Sequence, residues 1–244
     1  MPTLEADAPA APALPIELGA LVEWPAVTDV PAVRRRSLVA WPRLRKLLIA
    51  VLCIFVLPNV VLIGLHLSAA AVVGGPTSYA GIDKFGVVTG ELWRGAAPSI
   101  EGYRQLAADG VTTVVDLRAE APAGLEEQLA ELGMTFVHLP VRDGQSPPPE
   151  QIDQFLSILD DDPGILFVHC GAGVGRTGVF AAAGAKVDGV GAIATNLAYG
   201  TPSLEQLYTA GTLESGRSHR APLPVIVASR VVDGPRRLIH VLGF

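Results

Sequence analysis

The stretch "HCGAGVGRTG", residues 169–178, sets one of the chain's two cysteines six positions before an arginine, with three glycines between them and a threonine directly after. The β-forming run "ILFV" precedes it and an alanine-rich run follows, so the segment reads as a strand, a tight loop and a helix N-terminus. Gly171, Gly173 and Gly175 let the backbone take positive φ and turn its N–H groups inward. With the small, uncharged Ala172 and Val174 they form a nest for an anion, reinforced by the dipole of the helix that follows. A thiol in such a nest loses its proton readily, which makes Cys170 a candidate nucleophile. Arg176 offers a planar fork for two oxygens of a phosphate, and Thr177 a hydroxyl to donate to the sulfur. The plainer alternative is that Cys170 serves as a small buried hydrophobe.

The surrounding elements would have to hold this loop. Residues 111–117 and 134–139 read as strands, and residues 165–169 as a strand buried on both faces. Ser99 offers a cap for a helix that stops at Gly110, and "LEEQLAELG" stops at Gly133 in the same way. In "PPEQIDQFLSILD", Ile152, Phe155, Leu156 and Leu159 line one helix face. Strands alternating with helices imply an α/β fold, a mostly parallel central sheet flanked by helices. In such sheets ligands bind at the carboxyl ends of the strands, where Cys170 sits.

"HCGAGVGRTG" resembles the Cys-x5-Arg signature of the protein tyrosine phosphatase superfamily, and the region around it is similar to the dual-specificity type. The likeness runs from residues 85–99 through "GVTTVVDLRAE" and "HLPVRDGQSPPPEQIDQFL" to "SLEQL" near Ser203; "LWRGAAPS" departs from the related pattern "LYRSGQPS" at Ala97. The resemblance implies that Cys170 attacks phosphorus to give a phosphocysteine while Arg176 binds the transferring group. His169 would orient the loop and tune the thiolate, or would be no more than a satisfied strand-end histidine. Thr177 would assist departure of the sulfur. The proton for the leaving alcohol normally comes from an aspartate on a mobile loop, and Asp143, 27 residues before Cys170 and beside Gly144, is the best placed. Its competing readings are an Asp-Gly turn or replacement by Glu150, Asp153 or the run at 160–162. Asp116 and Arg118 would brace the loop or form a strand-end ion pair. The chemistry implied needs no cofactor, and no His, Cys and acidic set has metal-ligand spacing.

Half of the 244 residues are hydrophobic and 17% are charged, a balance that points to lipid. Residues 47–73 hold no charge and exceed the roughly 20 residues that cross a bilayer as a helix. Six bases lie at 34–46 and only Lys84 in the twenty residues after the run. The positive-inside rule then gives a single-pass protein with a cytoplasmic N-terminus and an extracytoplasmic catalytic domain. A signal peptide cleaved near residues 69–71, or a re-entrant hairpin broken at Pro58 and Asn59, are the alternatives.

The expected organisation is a disordered Ala/Pro-rich tail (1–33), a basic juxtamembrane segment (34–46), the transmembrane helix (47–73), a linker (74–82), the phosphatase-type domain (83–215) and a basic amphipathic extension (216–244). The extension would rest on anionic lipid or pack on the domain as a terminal helix. Residues 77–215 carry 7 bases and 18 acids, a net of −11, which disfavours nucleic acid and polyphosphates. A phosphorylated protein or small phosphomonoester is the expected substrate, phosphorylated envelope lipids the alternative, and a catalytically inactive phosphate-binding module the other class.

Overall fold

The computed structural model describes residues 41–161, 164–214 and 217–241, with backbone alone for 235–241. The expected tail, Arg34, Arg35 and Arg36 therefore lie outside the described residues. Six strands form one sheet in the order β1-β2-β3-β6-β4-β5. They are β1 (Thr77–Tyr79), β2 (Ile82–Val87), β3 (Leu92–Ala96), β4 (Val111–Asp116), β5 (Thr135–His138) and β6 (Ile165–Cys170). β1, β2 and β3 are antiparallel, whereas β3, β6, β4 and β5 run parallel. The mostly parallel α/β fold expected from the sequence is the fold observed. The segment expected as a linker carries β1, because Thr77–Tyr79 finds a hairpin partner in β2.

The helices are α1 (Trp41–Val51), α2 (Leu57–Val73), α3 (Ile100–Ala108), α4 (Leu125–Glu131), α5 (Pro149–Asp160), α6 (Gly175–Gly184), α7 (Gly189–Ala198), α8 (Leu204–Gly211) and α9 (Leu223–Val241). Ser99 caps α3 by accepting from Gly102 N–H, and α5 buries Ile152 and Phe155. Central β6 is covered on both faces. One core joins Leu166, Val168 and Cys170 to Phe155, Val179 and Phe180; the other joins Phe167 to Tyr103, Leu106, Val114 and Leu129.

α1, a π-helical turn (Leu52–Val56) and α2 form one helix of 33 residues, long and apolar enough to cross a membrane. It is already helical at Trp41, six residues before the expected start, and does not break into a hairpin at Pro58. Proline lacks the N–H that would reach the carbonyl four residues back, and the widened turn absorbs the gap, with Leu57 N–H bonding to Leu52 O. Pro58 and three of the polar interruptions behave differently from one another. Asn59 donates to Phe55 O at 2.6 Å and to Val232 O of α9 at 3.4 Å, His66 Nδ1 lies 2.6 Å from Leu197 O of α7, and Ser68 bonds back to Gly64 O. Asn59, Leu62 and His66 thus share the face that packs on α7 and α9 of the α/β domain, while Val60, Val61, Ile63 and Leu67 are exposed. Ser229 and Asp233 of the C-terminal segment are buried, and Asp233 accepts from Leu204 N–H at the start of α8.

Candidate active site

Cys170 ends β6 and is nearly buried; Gly171, Ala172, Gly173 and Val174 form the loop, and Arg176 sits in the first turn of α6. The loop is fixed to its neighbours by backbone bonds, Ala97 N–H to Gly171 O at 3.1 Å and Leu117 N–H to His169 O at 2.8 Å. Of the three glycines, only Gly173 takes positive φ, +69°. A Cβ there would also lie 2.5 Å from Ala96 N, so both conformation and space demand glycine. Gly175 is glycine for room alone, since its Cβ would run into the Gln206 side chain. Gly171 meets neither condition, its nearest neighbour being Arg176 Nη2 at 3.9 Å.

Arg176 is buried and anchored on one edge. Nη1 donates to Val141 O at 2.9 Å and Leu117 O at 3.3 Å, carbonyls just past β5 and β4, while Nη2 donates to Asp143 Oδ1 at 2.9 Å. Its other partner, Asp143, is largely exposed. Cys170, Arg176 and Asp143, the three side chains singled out from the sequence, line one cavity of about 200 Å³. Glu150 instead pairs with Arg220, and Asp153 borders a different surface with Glu214 and His219. The Asp143 loop is tied down. Ser203 Oγ donates to Gly144 O at 2.8 Å, Ser146 N–H to Glu205 Oε1 at 3.0 Å, and Gln206 Nε2 to Gln145 O at 3.0 Å.

His169 is fully buried and sandwiched by partners. Tyr103 Oη lies 2.9 Å from Nε2, Cys170 O is 3.3 Å from Nδ1, and Asp116 Oδ1 is 3.9 Å from Nδ1. Burial pulls its pKa down to about 4, against the attraction of Asp116, so the ring is neutral near pH 7 and contributes orientation rather than charge. Asp116 is itself clasped by Arg118 Nε at 2.9 Å and 3.0 Å. The Thr177 hydroxyl, expected on the sulfur, is buried with no hydrogen-bond partner. An unpaired buried hydroxyl is unfavourable, and its place beside the loop is where such strain commonly marks a working site.

Three contributors escaped the sequence reading. Arg94 reaches the loop carbonyls from β3. Gln206 closes a capping box with Ser203 and lines the cavity, as does Asp233, which accepts from Leu204 N–H at 3.2 Å and Ser229 Oγ at 2.6 Å. Only the pattern Ser203 to Gln206, a capping-box spacing, left a local trace. Among the described residues no cluster of three or more His, Cys, Asp or Glu could hold a metal.

The model of a family described as a DSP-PTPase phosphatase fused to NAD+ kinase matches residues 86–197. Residues 86–197 are thus similar to the dual-specificity type of the protein tyrosine phosphatase superfamily. This phosphatase-type domain is 33% identical over 93 residues to NAD kinase 2, chloroplastic, of Arabidopsis thaliana, covering 35% of the chain and 9% of that protein. A probable NAD kinase 2, chloroplastic, of Oryza sativa subsp. japonica is 32% identical over 93 residues, covering 35% of the chain and 10% of that protein. The chain thus spans about a tenth of the length of these curated relatives. Among solved structures, PTPMT1 in complex with PI(5)P is similar at 17% identity and a TM-score of 0.43, covering 52% of this chain and 92% of that one. TpbA of P. aeruginosa is similar at 23% identity and a TM-score of 0.38, covering 44% and 65%. The phosphatase-type match ends inside α7, so Thr201, Ser203, Gln206 and Asp233 of the cavity come from beyond it.

Proposed function

We propose that the chain is a membrane-anchored, cysteine-dependent phosphatase that hydrolyses phosphomonoesters on phosphotyrosine or phosphoserine/threonine proteins. The observation that carries this reading is the convergence of Cys170, Arg176 and Asp143 on one cavity over a loop rebuilt around Gly173. In the first step the Cys170 thiolate attacks phosphorus and the bond to the leaving oxygen breaks, with Asp143 giving that oxygen its proton. The incoming phosphate competes with Asp143 for Arg176 Nη2, which releases the carboxyl toward the leaving group. In the second step water attacks the phosphocysteine, Asp143 takes the water proton, the S–P bond breaks and the thiolate returns. Gly171 to Gly175 and Arg176 would hold the phosphoryl oxygens throughout, His169 would orient the loop, and Thr177 would serve the departing sulfur once its hydroxyl turns toward it.

The acidic body favours proteins or simple monoesters over polyphosphates. Phosphorylated lipid is a second reading, supported by Asp233 of the cavity lying next in sequence to Val232, whose carbonyl meets Asn59 of the apolar helix. The basic flank favours a single span with the catalytic domain outside the cytoplasm. A reporter active only in the cytoplasm, fused at Phe244, tests that placement, and a strong signal overturns it. For activity, the full chain in detergent is assayed for phosphate release from phosphopeptides and phosphorylated lipids. Acid-quenched labelled phosphate on Cys170 is the expected intermediate. More than about a tenth of wild-type turnover in Cys170→Ser would overturn the thiolate mechanism.

A further inference from the structure

Arg94 is the largest fully buried side chain among the described residues. It stands on β3, the strand beside β6, with the neighbouring pair Ala96 and Cys170 in register. From there its Nη2 donates to Gly173 O at 2.8 Å and, at 3.4 Å, to Val174 O. The Tyr199 ring covers it, with Cζ 3.7 Å from the ring centroid. Nε and Nη1 are buried without a hydrogen-bond partner, and among the described residues no carboxylate pairs with this guanidinium.

A buried cation with no carboxylate is unfavourable unless something else in reach is negative. The ring offers a cation–π contact and the loop offers carbonyl dipoles, but neither carries a full charge. The anion in reach is the one the loop is built to hold. In a trans peptide the N–H points opposite to the carbonyl, so bonds that draw the Gly173 and Val174 carbonyls toward Arg94 fix the planes of the peptides that carry the Val174 and Gly175 N–H groups. Burial lowers the Arg94 pKa to about 10, with interactions with Tyr199 and Cys170 acting in the opposite direction, so Arg94 stays cationic near pH 7.

We propose that Arg94 is a positioning residue that works from beneath the loop: it anchors the Gly173 and Val174 carbonyls and supplies a buried positive charge that favours the Cys170 thiolate. Arg176 would then bind the phosphate from one side while Arg94 prepares the nucleophile from the other. The proposal rests on the reading of Cys170 as a nucleophile.

The test reads the thiol directly, without turnover. In the full chain in detergent, with the exposed Cys53 replaced by serine, the rate of Cys170 alkylation by iodoacetamide is followed against pH, with and without inorganic phosphate. Arg94→Gln should move the alkylation midpoint up by about one pH unit while circular dichroism stays native. Arg94→Lys should hold the midpoint but weaken protection by phosphate about tenfold, because an ammonium keeps the charge and loses the fork. A native midpoint in folded Arg94→Gln overturns the proposal. If Arg94→Gln does not fold, Arg94→Lys decides: weakened phosphate protection at a native midpoint supports the anchoring role, and native values of both overturn it. An Arg94-dependent midpoint in a chain that hydrolyses nothing would refute the phosphatase reading alone. Turnover with an Arg94-independent midpoint would refute the Arg94 role alone.

Discussion

The loop after β6 and the helix from Trp41 to Val73 both place polar groups in apolar surroundings, yet the two use them in opposite directions. In the loop, Cys170, Arg176 and the backbone around Gly173 converge on a shared cavity, held by carbonyls just past neighbouring strands and by Arg94 on β3. In the helix, Asn59 and His66 lie off the exposed apolar face, and besides the bond of Asn59 to Phe55 O within the helix they reach carbonyls of α9 and α7 more than a hundred residues away. The residue types of a ligand-binding loop announce themselves by their own spacing, even where the groups that hold them lie far along the chain. A polar group whose purpose is docking is specified by a surface that the local sequence does not contain.

The sharpest way to break the first half of this comparison is Cys170→Ser. Losing the nucleophile should reduce turnover on the order of 10⁴-fold or more, measured as phosphate release, because the remaining groups cannot form the covalent intermediate. Arg176→Lys should be nearly as damaging. An ammonium cannot bond to Val141 O, Leu117 O and a phosphate at once in the way the fork does. A Lys variant within tenfold of wild type would mean that Arg176 serves the strand ends and not the substrate.

Asp143→Asn comes next. General acid catalysis is worth about 10² to 10⁴-fold, so kcat for alkyl or tyrosyl phosphates should fall by that factor. The loss should be smaller for para-nitrophenyl phosphate, whose leaving group departs without a proton. Equal losses for both substrates would leave Asp143 as a partner of Arg176 alone.

A third effect concerns the pH dependence of folding. His169 has its pKa lowered to about 4 by burial, from 6.5 in the unfolded chain. Between those values the unfolded state binds the extra proton and the native state does not, so stability must fall as pH drops from about 6.5 toward 4. The contribution is at most about 3 kcal/mol. Thermal unfolding of wild type should therefore weaken through that window, and His169→Gln, although less stable at pH 7 for losing Tyr103, should show a flatter profile. Parallel profiles would place the acid sensitivity elsewhere.

These effects also mark what could be read in advance. The loop was legible because Cys170, Gly173 and Arg176 lie within seven residues and each residue type has a physical reason to be there. Asp143 could be placed beside the loop because the resemblance calls for an aspartate after a strand end and the Asp-Gly step marks a turn there; its position against Arg176 agrees with that placement. Gly171 and Gly175 were misjudged because glycine spacing does not separate positive φ from lack of room; Gly175 yields to Gln206, thirty-one residues on. Arg94 and Asp233 were illegible because an arginine in a strand and an acid in a basic segment both look solvent-facing until the sheet and α9 bury them. The presence of the apolar helix was legible, but neither its extension back to Trp41 nor the face it turns to the domain was.

The smallest expected effect tests that face. His66→Leu removes the bond to Leu197 O and adds apolar surface, so the helix itself is no less able to enter lipid. The lost bond should lower the stability of the catalytic domain by about 1 kcal/mol, read as a drop of a few degrees in Tm for the full chain in detergent. Asn59→Leu should do less, since it also removes the unpaired buried Oδ1. The arrangement competes with a free single span: about 20 residues are needed to cross, and the face from Phe55 onward is engaged by the domain. A helix that crosses alone must release both bonds and leave Asn59 and His66 in hydrocarbon, which is unfavourable without partners. An unchanged Tm in His66→Leu would therefore favour the free span, whereas a lowered Tm, reversed by a further substitution that restores a donor at position 66, would make the helix part of the catalytic domain.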